Sequence, residues 1–164
     1  MNVGDNKKAL VLFSGGLDST TVLAIAKSKG YKITALTINY KQRHDYEILA
    51  SKNIIASHSD INHIIFDIDL TRIGGSALTD SSLDVPKEES SGIPITYVPA
   101  RNTIFLSIAA SYAEKLKIRE IYIGVNAIDY SGYPDCRPEF IASFQEMINL
   151  GTKSGSEGSS FEVI

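Results

Sequence analysis

An α/β fold built on a doubly wound parallel sheet is what this sequence predicts, and three features carry the prediction. Short apolar runs containing β-branched and aromatic residues alternate with longer amphipathic stretches along most of the chain. The short runs are apolar almost throughout rather than at every second residue, as expected of parallel strands covered on both faces. The segments of unusual polar composition, SGGLDST, YKQRHDYE, YVPARN and NAIDYSGYPDCRPEF, each fall just after a strand or just before a helix. In an open parallel sheet those positions share the edge at the carboxyl ends of the strands, where ligands bind.

Residues 9–13 form an apolar run that stops at Ser14-Gly15-Gly16, and residues 17–29 read as a helix closed by Gly30. Residues 31–40, rich in β-branched and aromatic side chains, predict a second strand. A helix is expected over 44–58, with Ile48, Leu49, Ile55 and Ala56 on its buried face from their seven-residue spacing. NHIIFDI, residues 62–68, makes a third strand. Periodicity then fails through 69–99, which reads as a functional loop or a lid. Residues 102–117 carry the clearest amphipathic pattern, with Ile104, Phe105, Ile108, Ala109, Tyr112, Ala113 and Leu116 recurring on one face, and the plainer reading of Arg101 and Asn102 is a helix start with Asn102 as N-cap. REIYIGV, residues 119–125, is a fourth strand. Pro138 suits the first turn of a helix reaching Leu150, and GTKSGSEGSS reads as a flexible connection. SSFEVI begins another strand, at which the sequence stops. An edge strand or a chain cut within its domain would account for this, and the cut is expected.

With 164 residues, 43% of them hydrophobic, the chain has apolar material for one core, so a single domain over 1–164 is expected. Its 16 Lys and Arg are dispersed among 19 acids, and the net charge of −3 gives no electrostatic case for holding a nucleic-acid backbone. No stretch approaches the ~18 apolar residues of a membrane span, and the N-terminus has no apolar signal core. A cytoplasmic protein is expected, in keeping with a lone cysteine, Cys136, that has no disulfide partner. No histidine lies near Cys136 in sequence, so it reads as packing rather than as a nucleophile.

The turn after the first strand has neither the G-x-x-x-x-G-K-[ST] nor the G-x-G-x-x-G spacing of the two commonest nucleotide loops. It still joins a strand to a helix N-terminus, where free N–H groups and the helix dipole favour an anion. Gly15 and Gly16 allow close backbone approach, and the hydroxyls of Ser14, Ser19 and Thr20 add donors. Phosphate is the natural guest. Asp18 alone would repel it, so either a Mg²⁺ bridges the two or the carboxylate caps the helix.

SGGLDS is similar to the S-G-G-x-D-S signature of the PP-loop ATP pyrophosphatases, which cleave ATP between its α and β phosphates. The resemblance implies the PP-loop, adenine nucleotide alpha hydrolase-like architecture. Three longer stretches narrow it: NYKQRHDYE, GIPITYVPARNTIFLSIAASYAE and GVNAIDYSGYPDCRPEF. With the loop they resemble the 7-cyano-7-deazaguanine synthase family of queuosine biosynthesis over about residues 9–150. That resemblance implies a ligase that uses ATP to activate the carboxylate of 7-carboxy-7-deazaguanine, forms the amide with ammonia, and dehydrates the amide to the nitrile in a second activation.

By match to the family's nucleotide loop, Phe13, Ser14, Gly15, Gly16, Leu17, Asp18, Ser19, Thr20, Thr21, Val22 and Leu23 are expected to contact ATP, with Mg²⁺ as its companion. Asp18, Arg43, His44 and Arg101 are the candidate catalytic groups. Arg43 and His44 cluster with Gln42 and Glu47 at the ligand edge, although exposed charges there also serve simply as a solvated helix start. Arg101 can grip phosphate or carboxylate through two parallel bonds. Gln42 and Asn102 are candidates for binding substrate, and Asp129, Tyr130, Tyr133, Asp135 and Arg137 offer aromatic faces and hydrogen-bonding groups suited to a flat guanine-like base, with turn chemistry at Gly132 and Pro134 as the plainer account of some of them.

The family also carries a four-cysteine Zn²⁺ site in its C-terminal part. This chain has one cysteine, so no zinc ligand is carried over and its activity alone is left open. Exposed core would favour a homo-oligomer. Two other readings are another PP-loop enzyme, an amidotransferase or tRNA sulfurtransferase, and an ATP-binding module without catalysis. The absence of a paired-cysteine motif argues against thiolation.

Overall fold

The structure, a computed structural model, describes residues 7–42, 46–80, 93–125 and 133–164. The strands are β1 (Lys8–Leu12), β2 (Lys32–Asn39), β3 (Asn62–Asp67), β4 (Glu120–Ile123) and β5 (Glu162–Val163). The helices are α1 (Leu17–Ser28), α2 (Tyr46–Ala56), α3 (Arg101–Leu116), α4 (Pro138–Gly151) and the short α5 (Lys153–Ser156), with a 3-10 turn at Pro134–Cys136. All pairings are parallel and the strand order is β3-β2-β1-β4-β5. The chain winds outward from β1 to β3, then returns through α3 to place β4 on the other side of β1. The order therefore reverses between β1 and β4, which is where an open α/β sheet forms its ligand crevice.

Alternation along β1 divides the core in two. Leu10 and Leu12 meet Leu106, Ala110 and Ala113 of α3 and Phe144 and Ile148 of α4, whereas Ala9 and Val11 meet Leu23 and Ala26 of α1 and Ile55 of α2. Leu10, Val11, Leu36 and Leu106 are all fully buried. The expected doubly wound sheet is present, and its central strands are covered on both faces.

Three expectations need correction. In α2 the inward residues are Ser51 and Ile55, whereas Leu49 is 58% exposed and Ala56 is exposed, because the helix is turned to set its backbone at Ser51 against Gly15. The expected apolar face of α3 is present, with Ile104, Phe105, Ile108, Tyr112 and Leu116 packed against the core beside the deeper Leu106, Ala109, Ala110 and Ala113, and Ser107, Ser111 and Lys115 outward. Asn102 is not the N-cap; Ala100 occupies that position at φ 53 without a side-chain cap bond. The segment expected to be flexible contains α5, whose first turn is closed by Thr152 accepting from the Gly155 N–H at 3.1 Å.

SSFEVI supplies the edge strand β5. Asn149 of α4 holds it at Phe161 through both its amide groups, at 2.6 and 3.0 Å, and Gln145 accepts from the Val163 N–H at 2.8 Å. Within 69–80 and 93–99 there is no helix or strand, as the failing periodicity predicts. No helix among the described residues is long and apolar enough to cross a membrane.

Candidate functional site

A cleft of about 150 Å³ opens at the carboxyl ends of β1, β2 and β4. Phe13 and Ser14 line it from the loop after β1, Ser19 from the first turn of α1, Tyr40 and Gln42 from the end of β2, Glu47 and Ile48 from α2, and Arg101, Asn102 and Phe105 from α3. Gly124, just past β4, closes the side next to α1. A Cβ there would stand 2.9 Å from the Ser19 nitrogen and 3.0 Å from the Asp18 carbonyl carbon, so only glycine lets β4 run on beside the first turn of α1.

The loop is organised around one hydroxyl. Ser19 Oγ accepts from the N–H groups of Ser14 and Gly15 at 3.3 and 3.2 Å and donates to the Gly16 carbonyl at 3.0 Å. Ser14 Oγ accepts from the Gly16 N–H at 3.2 Å, and Thr20 Oγ1 donates to the Gly16 carbonyl at 2.8 Å. Gly15 adopts φ +87 and lies against the backbone of α2. Underneath, Thr37 Oγ1 donates to the Phe13 carbonyl at 2.6 Å. A carbonyl cannot donate, so the 2.8 Å contact between Thr37 Oγ1 and His63 Nε2 is donated by the histidine. Burial lowers the His63 pKa, with Lys52 adding to the effect, which favours the neutral ring carrying its proton on Nε2. The strand end that feeds the loop is thereby pinned.

The N-cap of α1 is Gly16, with no side-chain cap bond, so the capping role weighed for Asp18 is not filled. Asp18 lies exposed in the first turn, where a carboxylate complements the helix dipole.

The turn around Pro134–Cys136 braces α3. Asp135, 7% exposed, accepts from the Asn102 N–H at 2.9 Å, and Asn102 Nδ2 donates to the Asp135 carbonyl at 3.0 Å and to Cys136 Sγ at 3.2 Å. The buried carboxylate thus satisfies an amide at the start of α3 from 33 residues away. Tyr133 shares a 2.7 Å hydrogen bond with Thr96 and lies against Tyr97, with ring centroids 5.9 Å apart. With Arg101 and Asp135 these residues line a tight recess beside the cleft.

Of the expected site residues, Phe13, Ser14, Ser19, Gln42, Arg101 and Asn102 come together in the cleft, and Tyr133 and Asp135 stand next to it. Leu23 is corrected to a core residue: it is 3% exposed beneath α1, and its apolar side chain anchors the helix rather than facing the cleft. Leu17 is 83% exposed and Thr21 is exposed, and neither lines the cleft. Arg137 is exposed at the N-cap of α4 and lines neither the cleft nor the recess. Arg43, His44, Asp129 and Tyr130 lie outside the described residues. Tyr40, Thr37 and Gly124 also reach the cleft, with no residue-type signal that marks them as site residues. Tyr40 read as the last residue of a strand, and only its place next to Gln42 hinted at more.

Residues 8–163 match the family model described as queuosine biosynthesis protein QueC. A 7-cyano-7-deazaguanine synthase of Cellvibrio japonicus is 59% identical over 152 residues, which cover 93% of this chain and 68% of that protein. One from Pseudomonas fluorescens is 54% identical over 160 residues, covering 98% and 71%. Among solved structures, one described as a predicted subunit of tRNA methyltransferase from Methanocaldococcus jannaschii matches with a TM-score of 0.57 at 18% identity. It is covered to 66% by 96% of this chain and is alike in fold alone.

Proposed function

The chain belongs to the queuosine biosynthesis protein QueC family, and on that premise we propose that it is an ATP-dependent ligase making 7-cyano-7-deazaguanine. The observation that carries the proposal is the continuity of one cleft, which joins the serine and glycine loop after β1 to the cation of Arg101. The relatives' shared name favours this reading over another PP-loop reaction.

The loop fits a triphosphate. The two amide bonds to Ser19 Oγ, at 3.3 and 3.2 Å, are longer than the usual ~2.9–3.0 Å and bind only a neutral hydroxyl. A phosphate oxygen is a charged and stronger acceptor for the same donors. ATP is then held by Ser14, Gly15, Gly16 and Ser19, and Mg²⁺, bound by Asp18 and the phosphates, would neutralise their charge. A site with one carboxylate plus phosphate oxygens is ordinary for Mg²⁺. The four-cysteine zinc set does not fit this chain, whose one cysteine is Cys136, and no step depends on it.

The chemistry needs a leaving group, because a carboxylate is a poor electrophile. A carboxylate oxygen of 7-carboxy-7-deazaguanine attacks the α-phosphorus of ATP, and pyrophosphate departs into the loop donors, which stabilise its charge. Ammonia then attacks the acyl carbon, AMP leaves, and a proton is released. The amide oxygen attacks a second ATP in the same way, with release of pyrophosphate and of one N–H proton, and loss of AMP with the second N–H proton leaves the nitrile. Arg101, half-buried beside the cleft, orients the negatively charged groups. Phosphorus NMR should show AMP and pyrophosphate formed only when the acid is present; ADP and phosphate would contradict the proposal.

Replacing Asp18 by Asn is expected to weaken ATP binding about tenfold in the presence of Mg²⁺ and far less in its absence, as loss of a charged ligand predicts. Calorimetric titration with and without Mg²⁺ checks this, and an unchanged Mg²⁺ dependence would remove Asp18 from the metal.

A further inference from the structure

The cleft has a second set of polar groups, supplied by β2 and α3 rather than by the loop. Tyr40 is 5% exposed, with its ring tilted 55° on Phe105 at 5.4 Å between centroids. Its hydroxyl stands among Arg101, Glu47 and Tyr133. Burial raises its pKa against the opposing pull of Arg101, so the phenol keeps its proton. At Lys41 the chain turns with φ 59, and Gln42 Oε1 accepts from the Tyr40 N–H at 3.3 Å. A backbone N–H only donates, so that bond fixes which end of the amide faces it. Gln42 Nε2 is left buried, with no hydrogen-bond partner among the described residues. A buried donor in that state carries an uncompensated desolvation cost, which an incoming acceptor recovers.

We propose that Tyr40, Gln42 and Arg101 form the seat of the substrate's carboxylate and select the acid over its neutral derivatives, an inference that rests on the function given above. A guanidinium and an amide NH₂ cannot accept a hydrogen bond, and a protonated phenol facing that guanidinium is left to donate. Such a set calls for an oxygen acceptor bearing negative charge. The reaction supplies two, the triphosphate and the carboxylate, and the triphosphate already has the donors of the loop. Glu47, exposed at the cleft, is an anionic acceptor that partly offsets Arg101, yet it leaves Gln42 Nε2 without a hydrogen-bond partner. Once the acid becomes the amide, an NH₂ replaces one oxygen and meets donors with a donor. The seat therefore loosens after the first half of the reaction and frees the amide oxygen for its own activation.

The test is calorimetric titration of wild type, Tyr40→Phe and Gln42→Ala with 7-carboxy-7-deazaguanine and with its carboxamide, in Mg²⁺ and α,β-methylene ATP. Wild type should prefer the acid by about tenfold or more, and each variant should lose most of that preference while binding the nucleotide within about twofold of wild type. Tyr40→Phe keeps the ring on Phe105, and its melting temperature checks that it folds. Loss of nucleotide affinity with the acid preference intact would assign the seat to phosphate and overturn the inference, as would equal losses on acid and amide. Wild type that binds the nucleotide but not the acid would overturn the functional reading along with it, a result distinct from variants that simply match wild type.

Discussion

Gly15→Ala should abolish measurable ATP binding and lower the stability of the fold by about 3 kcal/mol, combining a left-handed backbone penalty with overpacking. Gly15 sits at φ +87, a conformation in which a Cβ costs roughly 1–2 kcal/mol. The added carbon would stand 2.6 Å from the Ser51 nitrogen and 3.0 Å from the Glu47 carbonyl oxygen, both backbone atoms of α2 that have no rotamer to move to. Either the loop or the helix must shift, and a shift of the loop disperses the N–H groups of Ser14, Gly15 and Gly16. Gly30→Ala is the control, with φ +78 and nothing within 4 Å of its added carbon. It should cost about 1 kcal/mol and leave ATP affinity unchanged. Melting curves and ATP titrations of the two variants separate strain from collision. Equal behaviour of the pair would mean that α2 does not brace the loop.

Arg101→Ala should reduce kcat/KM for the acid by roughly ten- to a hundredfold, the range expected when a charged hydrogen-bonding partner is lost. Arg101 is the only cationic side chain lining the cleft among the described residues. Its backbone N–H donates to the Val98 carbonyl at 3.1 Å, a bond the substitution leaves in place, so stability should change little. Lysine should restore charge but not two parallel bonds, and thus only part of the rate. A loss below twofold with alanine, in steady-state kinetics on a protein of normal melting temperature, would remove Arg101 from the site.

Much of the sheet was legible in the sequence because parallel strands buried on both faces are apolar throughout, and the loop was legible because its string follows a strand and opens a helix. The strand order was not, since nothing local says that β4 returns to the far side of β1. The rotation of α2 depends on Gly15, more than thirty residues before Ser51, so seven-residue spacing alone put Leu49 on the wrong side. The start of α3 misled in the same way. Asn102 looks like a cap by residue type, yet Asp135 reaches its N–H from the distant turn. Gln42 was found through its polar neighbours, whereas Tyr40 was hidden by being good strand material. Leu23 fell within a contiguous motif but lies where helical periodicity turns it toward the core.

The reaction is tested most directly by mass spectrometry of products formed from ATP, Mg²⁺, ammonium and 7-carboxy-7-deazaguanine. The account predicts a product with the mass of the nitrile, preceded by the amide, with AMP formed for each activation. ATP binding with neither amide nor nitrile would contradict it and leave this chain a nucleotide-binding domain whose ligase chemistry lies elsewhere.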